Sequence, residues 1–152
     1  MRFYEDLVVG EAEHFGQHAV LREEVIAFAR QFDPQPFHLS DEAAAQTHFG
    51  RLAASGWHTC GMTMAMLVAH FQETGHQGLG GAGIENLAWL QPVYPGDTLS
   101  VEVVVTEKRR SRSRPEMGII RQQTTTFNQH GEPVLRYTAT GMIATRDPAG
   151  QD

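Results

Sequence analysis

The amino-acid sequence predicts an α+β fold in which an antiparallel β-sheet wraps around one long central helix. Two patterns carry that expectation. The segment SGWHTCGMTMAMLVAHF, Ser55 to Phe71, is apolar all round, so a helix over Trp57–Phe71 is expected to be buried on nearly every side. From Ile84 to Thr145 the chain is instead strand-like between turn signals, with polar and apolar residues alternating over Thr98–Thr106, the pattern of an antiparallel meander. Bulk properties agree with one domain over residues 1–152. That length buries roughly 70% of the unfolded surface, and 41% hydrophobic with 20% charged residues lies far from the disordered regime.

Taken in order, Phe3–Gly10 reads as an irregular lead-in with a turn at Val9-Gly10, and His14–Val20 as a strand. Leu21, Val25, Phe28, Ala29 and Phe32 then recur at three- and four-residue steps, an amphipathic helix. Pro34 and Pro36 stop it, because proline removes donors and pushes its predecessor towards extended backbone. Ser40 is placed to cap a short helix running through Asp41-Glu42 and Ala43–Gln46, with Gly50 as its end. After the central helix, Gly75–Gly83 (GHQGLGGAG) reads as a flexible link, since it lacks the context of a phosphate-binding loop.

Strands follow at Ile84–Leu90, Thr98–Thr106, Gly118–Phe127 and Val134–Thr145. They are separated by a bend at Gln91–Asp97, a polar hairpin region Glu107–Glu116 and a turn at Asn128–Gly131, and a tail from about residue 146 is expected to fray. On Thr98–Thr106, Leu99, Val101, Val103 and Val105 share one face. A single sheet of this kind leaves open edges, and pairing with a second copy removes one, so a homodimer or higher homo-oligomer is expected.

Charge and cysteine content narrow the function. A net charge of −6 and a pI near 5.7 exclude the dominant basic face that nucleic acid demands. Cys60 is the only cysteine, which excludes an internal disulfide and a cysteine-based zinc cluster. The opening MRFYEDLVVGEAEHFG carries no apolar signal region and no run is long enough to span a bilayer, so no membrane association and a cytoplasmic location are expected. His58, Cys60, His70 and His76 are spaced unlike common zinc patterns, so no metal is expected. Met62, Met64 and Met66 read as core filling.

The chemistry-bearing stretch is FDPQPFH. Asp33 and His38 stand in a proline-stiffened loop, where a carboxylate and an imidazole can share one water as base and acid. A Gly-led apolar helix follows, and its free N–H groups can hold developing negative charge. The plainer alternatives are that Asp33 ends its helix and His38 merely precedes the next. The run Lys108-Arg109-Arg110-Ser111-Arg112-Ser113-Arg114 holds five of the twelve basic residues and is either a solvated hairpin tip or an attractor of phosphate groups.

The string Phe32-Asp33-Pro34-Gln35-Pro36-Phe37-His38, with Thr47-x-Phe49-Gly50, Ala54-Ser55-Gly56 and Pro92-Val93-x-Pro95-Gly96-Asp97-Thr98-Leu99, resembles the MaoC-like dehydratases, which include (R)-specific enoyl-CoA hydratases. The resemblance runs from about Leu21 to Thr145. It implies a hot-dog fold in which an overhanging helical segment carries the catalytic loop. It also implies reversible syn addition of water to a trans-2-enoyl thioester, giving a 3-hydroxyacyl thioester. Asp33 would take a proton from the attacking water, His38 would hold that water and help deliver a proton to C2, and the Gly56 N–H would hold the enolate oxygen. Gln35 occupies the family's Asn position and Ser55 the place of a frequent His, while Trp57 is larger than the usual residue. Together with Arg109 and Arg110, placed for coenzyme A phosphates, these three are the expected substrate-binding residues. Coenzyme A enters as part of the substrate, and no separate cofactor is expected.

Ser55 would cap the central helix or bond a catalytic group, and Trp57 would shorten or reshape the acyl tunnel. Two rivals stand beside the hydratase. A hot-dog acyl-CoA thioesterase commonly sets its carboxylate on or near the central helix, yet no Asp or Glu occurs from Ala43 to Gln72. A non-catalytic acyl-CoA binder would bind without turnover.

Overall fold

Backbone pairing joins five strands into one antiparallel sheet in the order β1-β3-β4-β5-β2. They are β1 (Ala12–Ala19), β2 (Gly78–Trp89), β3 (Thr98–Arg110), β4 (Met117–Phe127) and β5 (Pro133–Ala144). Three α-helices complete the fold: α1 (Arg22–Phe32), α2 (Asp41–Ala45) and α3 (Gly56–Thr74). This computed structural model describes residues 1–149. The architecture is the hot-dog fold, a sheet curled around α3.

The alternation of β3 becomes the core. Leu99, Val101, Val103 and Val105 are all buried, and the first three pack in one cluster with Met62, Met66 and Leu67 of α3 and with Val134, Leu135 and Tyr137 of β5. Successive strand residues point to opposite faces, so one apolar row suffices to cover a helix. A buried bond between Thr63 Oγ1 and Thr126 Oγ1, 2.7 Å, links α3 to β4. Ser55 caps α3 by accepting from the Trp57 N–H, and the helix ends at Gly75, whose φ of 68° is the left-handed conformation glycine adopts without a Cβ penalty.

Several elements depart from the sequence expectation. Gly75–Gly83 is not a link: Gly78 begins β2, which pairs with β5 from Gly78↔Ile143 onward. Glycine carries no side chain to show alternation, so only the partner strand reveals it. α2 ends at Ala45, well before Gly50, and a further turn intervenes. The 107–116 hairpin is shorter than expected because β3 runs to Arg110.

α3 is not buried on every side. Gly61, Met64, Ala65, Val68 and Ala69 form an exposed apolar stripe, with Met64 at 50% and Val68 at 42% exposure, so Met64 is not core filling whereas Met62 and Met66 are. One sheet covers only one face of a helix. Beside that stripe β2 is a sheet edge, exposed along most of its length.

Of the tail expected to fray, Arg146 is tied to Asp6 at 2.5 Å and its N–H donates to Glu5 at 3.0 Å. Residues 150–152 lie outside the described part. Among the described residues no helix is long and apolar enough to cross a membrane.

Candidate active site

The loop between α1 and α2 is shaped by its prolines and by what lies beneath it. Asp33 closes α1, its N–H donating to Ala29 O at 2.9 Å, and Pro36 opens a single 3₁₀ turn, Pro36–His38, that turns His38 inward. Ser40 caps α2 by accepting from the Ala43 N–H at 3.2 Å, as its sequence position predicts. The buried segment Leu52–Ser55 passes under the loop. Leu52 N–H donates to Asp41 Oδ1 at 2.9 Å and Ala54 N–H to Val93 O at 2.8 Å, while Asp97 accepts the Tyr94 N–H at 2.9 Å and holds the Pro-Gly-Asp bend. That bend is therefore a structural brace for the site.

Asp33 and His38 meet where the sequence placed them. Asp33 Oδ2 lies 3.4 Å from His38 Nε2, and His38 Nδ1 lies 2.7 Å from the carbonyl of Ala53. A carbonyl only accepts, so Nδ1 carries the hydrogen. Neutral His38 then turns the Nε2 lone pair towards a carboxylate that is also an acceptor. Two acceptors at this spacing are satisfied together by one water that donates a hydrogen to each.

Two donors fix the carboxylate. Gln35 Nε2 donates to Asp33 Oδ1 at 2.8 Å, and Ser55 Oγ donates to Asp33 Oδ2 at 2.8 Å. Ser55 thus fills both roles the sequence left open, since its Oγ also accepts the Trp57 N–H at 3.3 Å. Partial burial works against the charged form of Asp33, but the bonds from Gln35 and Ser55, with a smaller contribution from the neighbouring His38, outweigh it and hold the carboxyl below its ordinary value. Asp33 is accordingly a carboxylate at neutral pH.

A cleft of about 470 Å³ opens over these groups, lined by Asp33, Gln35, His38, Gly56, Trp57 and Trp89 among others. Gly56 is the first residue of α3, so its N–H lacks an intrahelical acceptor and sits at the positive end of the helix. A Cβ at this position would overlap the Trp89 indole. Of the expected site residues, Asp33, Gln35, His38, Gly56 and Trp57 line the cleft, and Ser55 lies beneath Asp33. His48, Thr59 and Trp89 line it too, unpredicted. Trp89 carried a weak signal only: an aromatic at the end of a strand that precedes the Pro-Gly-Asp bend.

Arg109 and Arg110 do not come to the cleft. Trp89 pairs with Leu135, Leu135 with Thr126, and Thr126 with Val101. The cleft is therefore level with Val101 on β3, and Arg109 is eight residues further on, roughly 26 Å at strand rise. Arg110 is engaged with Glu5 at 2.8 Å and the Asp147 carbonyl at 2.9 Å, and Lys108 donates to Leu7 O at 2.7 Å. The basic run thus partly clamps the N-terminal segment, leaving Arg109, Arg112 and Arg114 exposed.

The histidines considered as ligands are dispersed. His58 stacks on Phe28 at 4.8 Å, His70 stacks on Phe15 at 3.9 Å and bonds Glu13 at 2.9 Å, and His76 stacks on Phe71 at 4.5 Å. Burial lowers the pKa of His58 and His76. Among the described residues no group of three or more His, Cys, Asp or Glu is placed to hold a metal ion.

A curled antiparallel sheet, a central helix and an Asp–His loop against that helix's first turn define a hot-dog protein of the hydratase and dehydratase class. The chain belongs to the MaoC-like dehydratase family, whose MaoC-like domain matches residues 8–127. A MaoC-like dehydratase structure from Rhodospirillum rubrum superposes with a TM-score of 0.85 at 44% identity, covering 97% of this chain and 99% of that one. The 3-hydroxybutyryl-CoA dehydratase of Methylorubrum extorquens is 32% identical over 115 residues, 72% of this chain and 70% of its own. The mesaconyl-CoA hydratase of Cereibacter sphaeroides is 41% identical over 61 residues, 40% of this chain but only 18% of that longer protein.

Proposed function

We propose that this protein is a hydro-lyase that reversibly adds water across the C2–C3 double bond of a trans-2-enoyl-CoA thioester. The observation that carries the reading is the facing pair of acceptors, Asp33 Oδ2 and His38 Nε2 at 3.4 Å, beside the free N–H of Gly56. One water donates a hydrogen to each acceptor. Asp33 takes a proton as the water oxygen bonds to C3, the π electrons move to the thioester oxygen, and the Gly56 N–H and helix dipole hold that charge. The proton then returns from the Asp33–His38 pair to C2, on the face from which water came, which makes the addition syn. No electron leaves or enters the system, so no redox cofactor is needed, and coenzyme A arrives as part of the substrate.

Two relatives named for hydration or dehydration of acyl-CoA support the substrate class. The thioesterase alternative gains no support, because no carboxylate of α3 faces the cleft. The working unit of this reading is a homodimer. The exposed edge of β2 and the apolar stripe of α3 lie side by side, and a second copy would continue the sheet through β2 and cover both.

The test follows enoyl-thioester absorbance with a panel of trans-2-enoyl-CoAs, beside Asp33→Asn and a free-thiol assay. Wild-type turnover without thiol release, falling about 10²- to 10⁴-fold in Asp33→Asn, is the expected result. Thiol release, or a variant as fast as wild type, overturns the reading.

A further inference from the structure

We propose that Trp89 is the acyl-length gate of this site, its indole closing the cleft against an apolar groove and restricting the protein to short-chain 2-enoyl thioesters. The proposal rests on the hydration reading above. Gly56, Cys60, Met64, Leu67 and Phe71 succeed one another along α3 at steps of three or four residues, so they mark one face of the helix. The catalytic cleft ends at the first of these. A second cavity of about 690 Å³ begins at Met64 and continues past Leu67 and Phe71, walled by Ile84, Tyr137 and Ala139.

The indole, 46% exposed in the single chain, lines the first cavity and not the second. It rests on Gly56, where any side chain would overlap it, and meets Trp57 edge-on at 5.1 Å. One turn further along α3, the half-buried Cys60 packs against the core cluster that contains Tyr137. The order along α3 is therefore cleft, indole, Cys60, groove. Backbone geometry sets the ring there: a register break between Glu85 and Ala88, with Asn86 at φ 54°, carries Leu87 and Trp89 onto the helix side. Bulges beside functional sites re-aim side chains in this way.

The consequence concerns the acyl tail. With the thioester oxygen on Gly56 and C3 at Asp33, carbons beyond C4 that follow the helix meet the indole, whereas the groove behind it offers a mainly apolar channel. Cys60 to Phe71 spans eleven residues, roughly 16 Å at helical rise, long enough for a medium acyl chain. The partner copy would roof this groove without supplying its floor, which is Tyr137 and Ala139.

The experiment measures kcat/KM for trans-2-enoyl-CoAs of four, six, eight and ten carbons with wild type, Trp89→Ala and Trp89→Leu. Methylenes in an apolar pocket are discriminated by about tenfold or more. Wild type is therefore expected to prefer four carbons over eight by at least about tenfold, and removal of the indole to raise the eight-to-four ratio by at least the same factor. Trp89→Leu keeps an apolar packing group and carries the test if the alanine variant does not fold. An unchanged ratio in a folded variant overturns the gate, whether the indole is no barrier or the partner fills the groove. A wild type without chain-length preference overturns it too. A wild type inactive on every member instead removes the hydration reading, so the two failures are distinct.

Discussion

Replacing Ser55 by alanine removes two hydrogen bonds at once, and the loss separates a catalytic support from a helix cap. Ser55 is fully buried and donates to an Asp33 side chain only 18% exposed, at 2.8 Å. A hydrogen bond to a charged group in such a setting is worth about 1.5–3 kcal/mol, and the residual exposure of Asp33 places it near the lower figure. The cap on the Trp57 N–H is longer, 3.3 Å, and contributes about 0.5 kcal/mol. Ser55→Ala is thus expected to cost about 2–2.5 kcal/mol in urea unfolding at neutral pH.

The pH dependence has a definite sign. The Asp33 pKa is held below its ordinary 3.8, so this stabilisation is complete above the unfolded-state value and disappears as pH falls through the folded one. Losing Ser55 raises the folded pKa, so the stability difference narrows in acid. In an Asp33→Ala background, which leaves no acceptor for the Ser55 hydroxyl, the same substitution should cost only the cap, giving a coupling of about 1.5 kcal/mol in the double-mutant cycle. A coupling below about 0.5 kcal/mol, with a stability difference that does not narrow in acid, would refute the assignment of Ser55 as a support for the carboxylate.

Gly56→Ala places a methyl group into the Trp89 indole and is expected to destabilise by about 1–3 kcal/mol through overpacking, with a shifted tryptophan emission; unchanged melting and emission would mean the indole yields freely. Val68→Glu sets a charge in the exposed apolar stripe of α3, where it should leave the protomer fold intact, since surface changes stay within about 0.5 kcal/mol, but convert a dimer to a monomer in sedimentation velocity. A wild type already sedimenting as a monomer contradicts the proposed pairing.

Much of this molecule can be read from local rules. Prolines 34 and 36 end α1, Ser40 and Ser55 cap the next helices, and the Leu99–Val105 alternation becomes the buried face of β3. Each depends on a residue's own backbone or side-chain chemistry, and so does the Asp33–His38 spacing in a stiff loop.

What tertiary structure alone decided has a different physical origin. The Gly78–Gly83 stretch is a strand because β5 supplies its hydrogen-bond partners, and glycine shows no pattern of its own. α3 has a bare side because a curled sheet covers only part of a helix, whatever the helix's composition. Arg109 and Arg110 lie far from the cleft because strand length and register, not charge, fix where a hairpin ends. Trp89 joins the site because a bulge with Asn86 in the left-handed region turns it onto Gly56, a contact between residues thirty-three positions apart that local sequence patterns cannot encode.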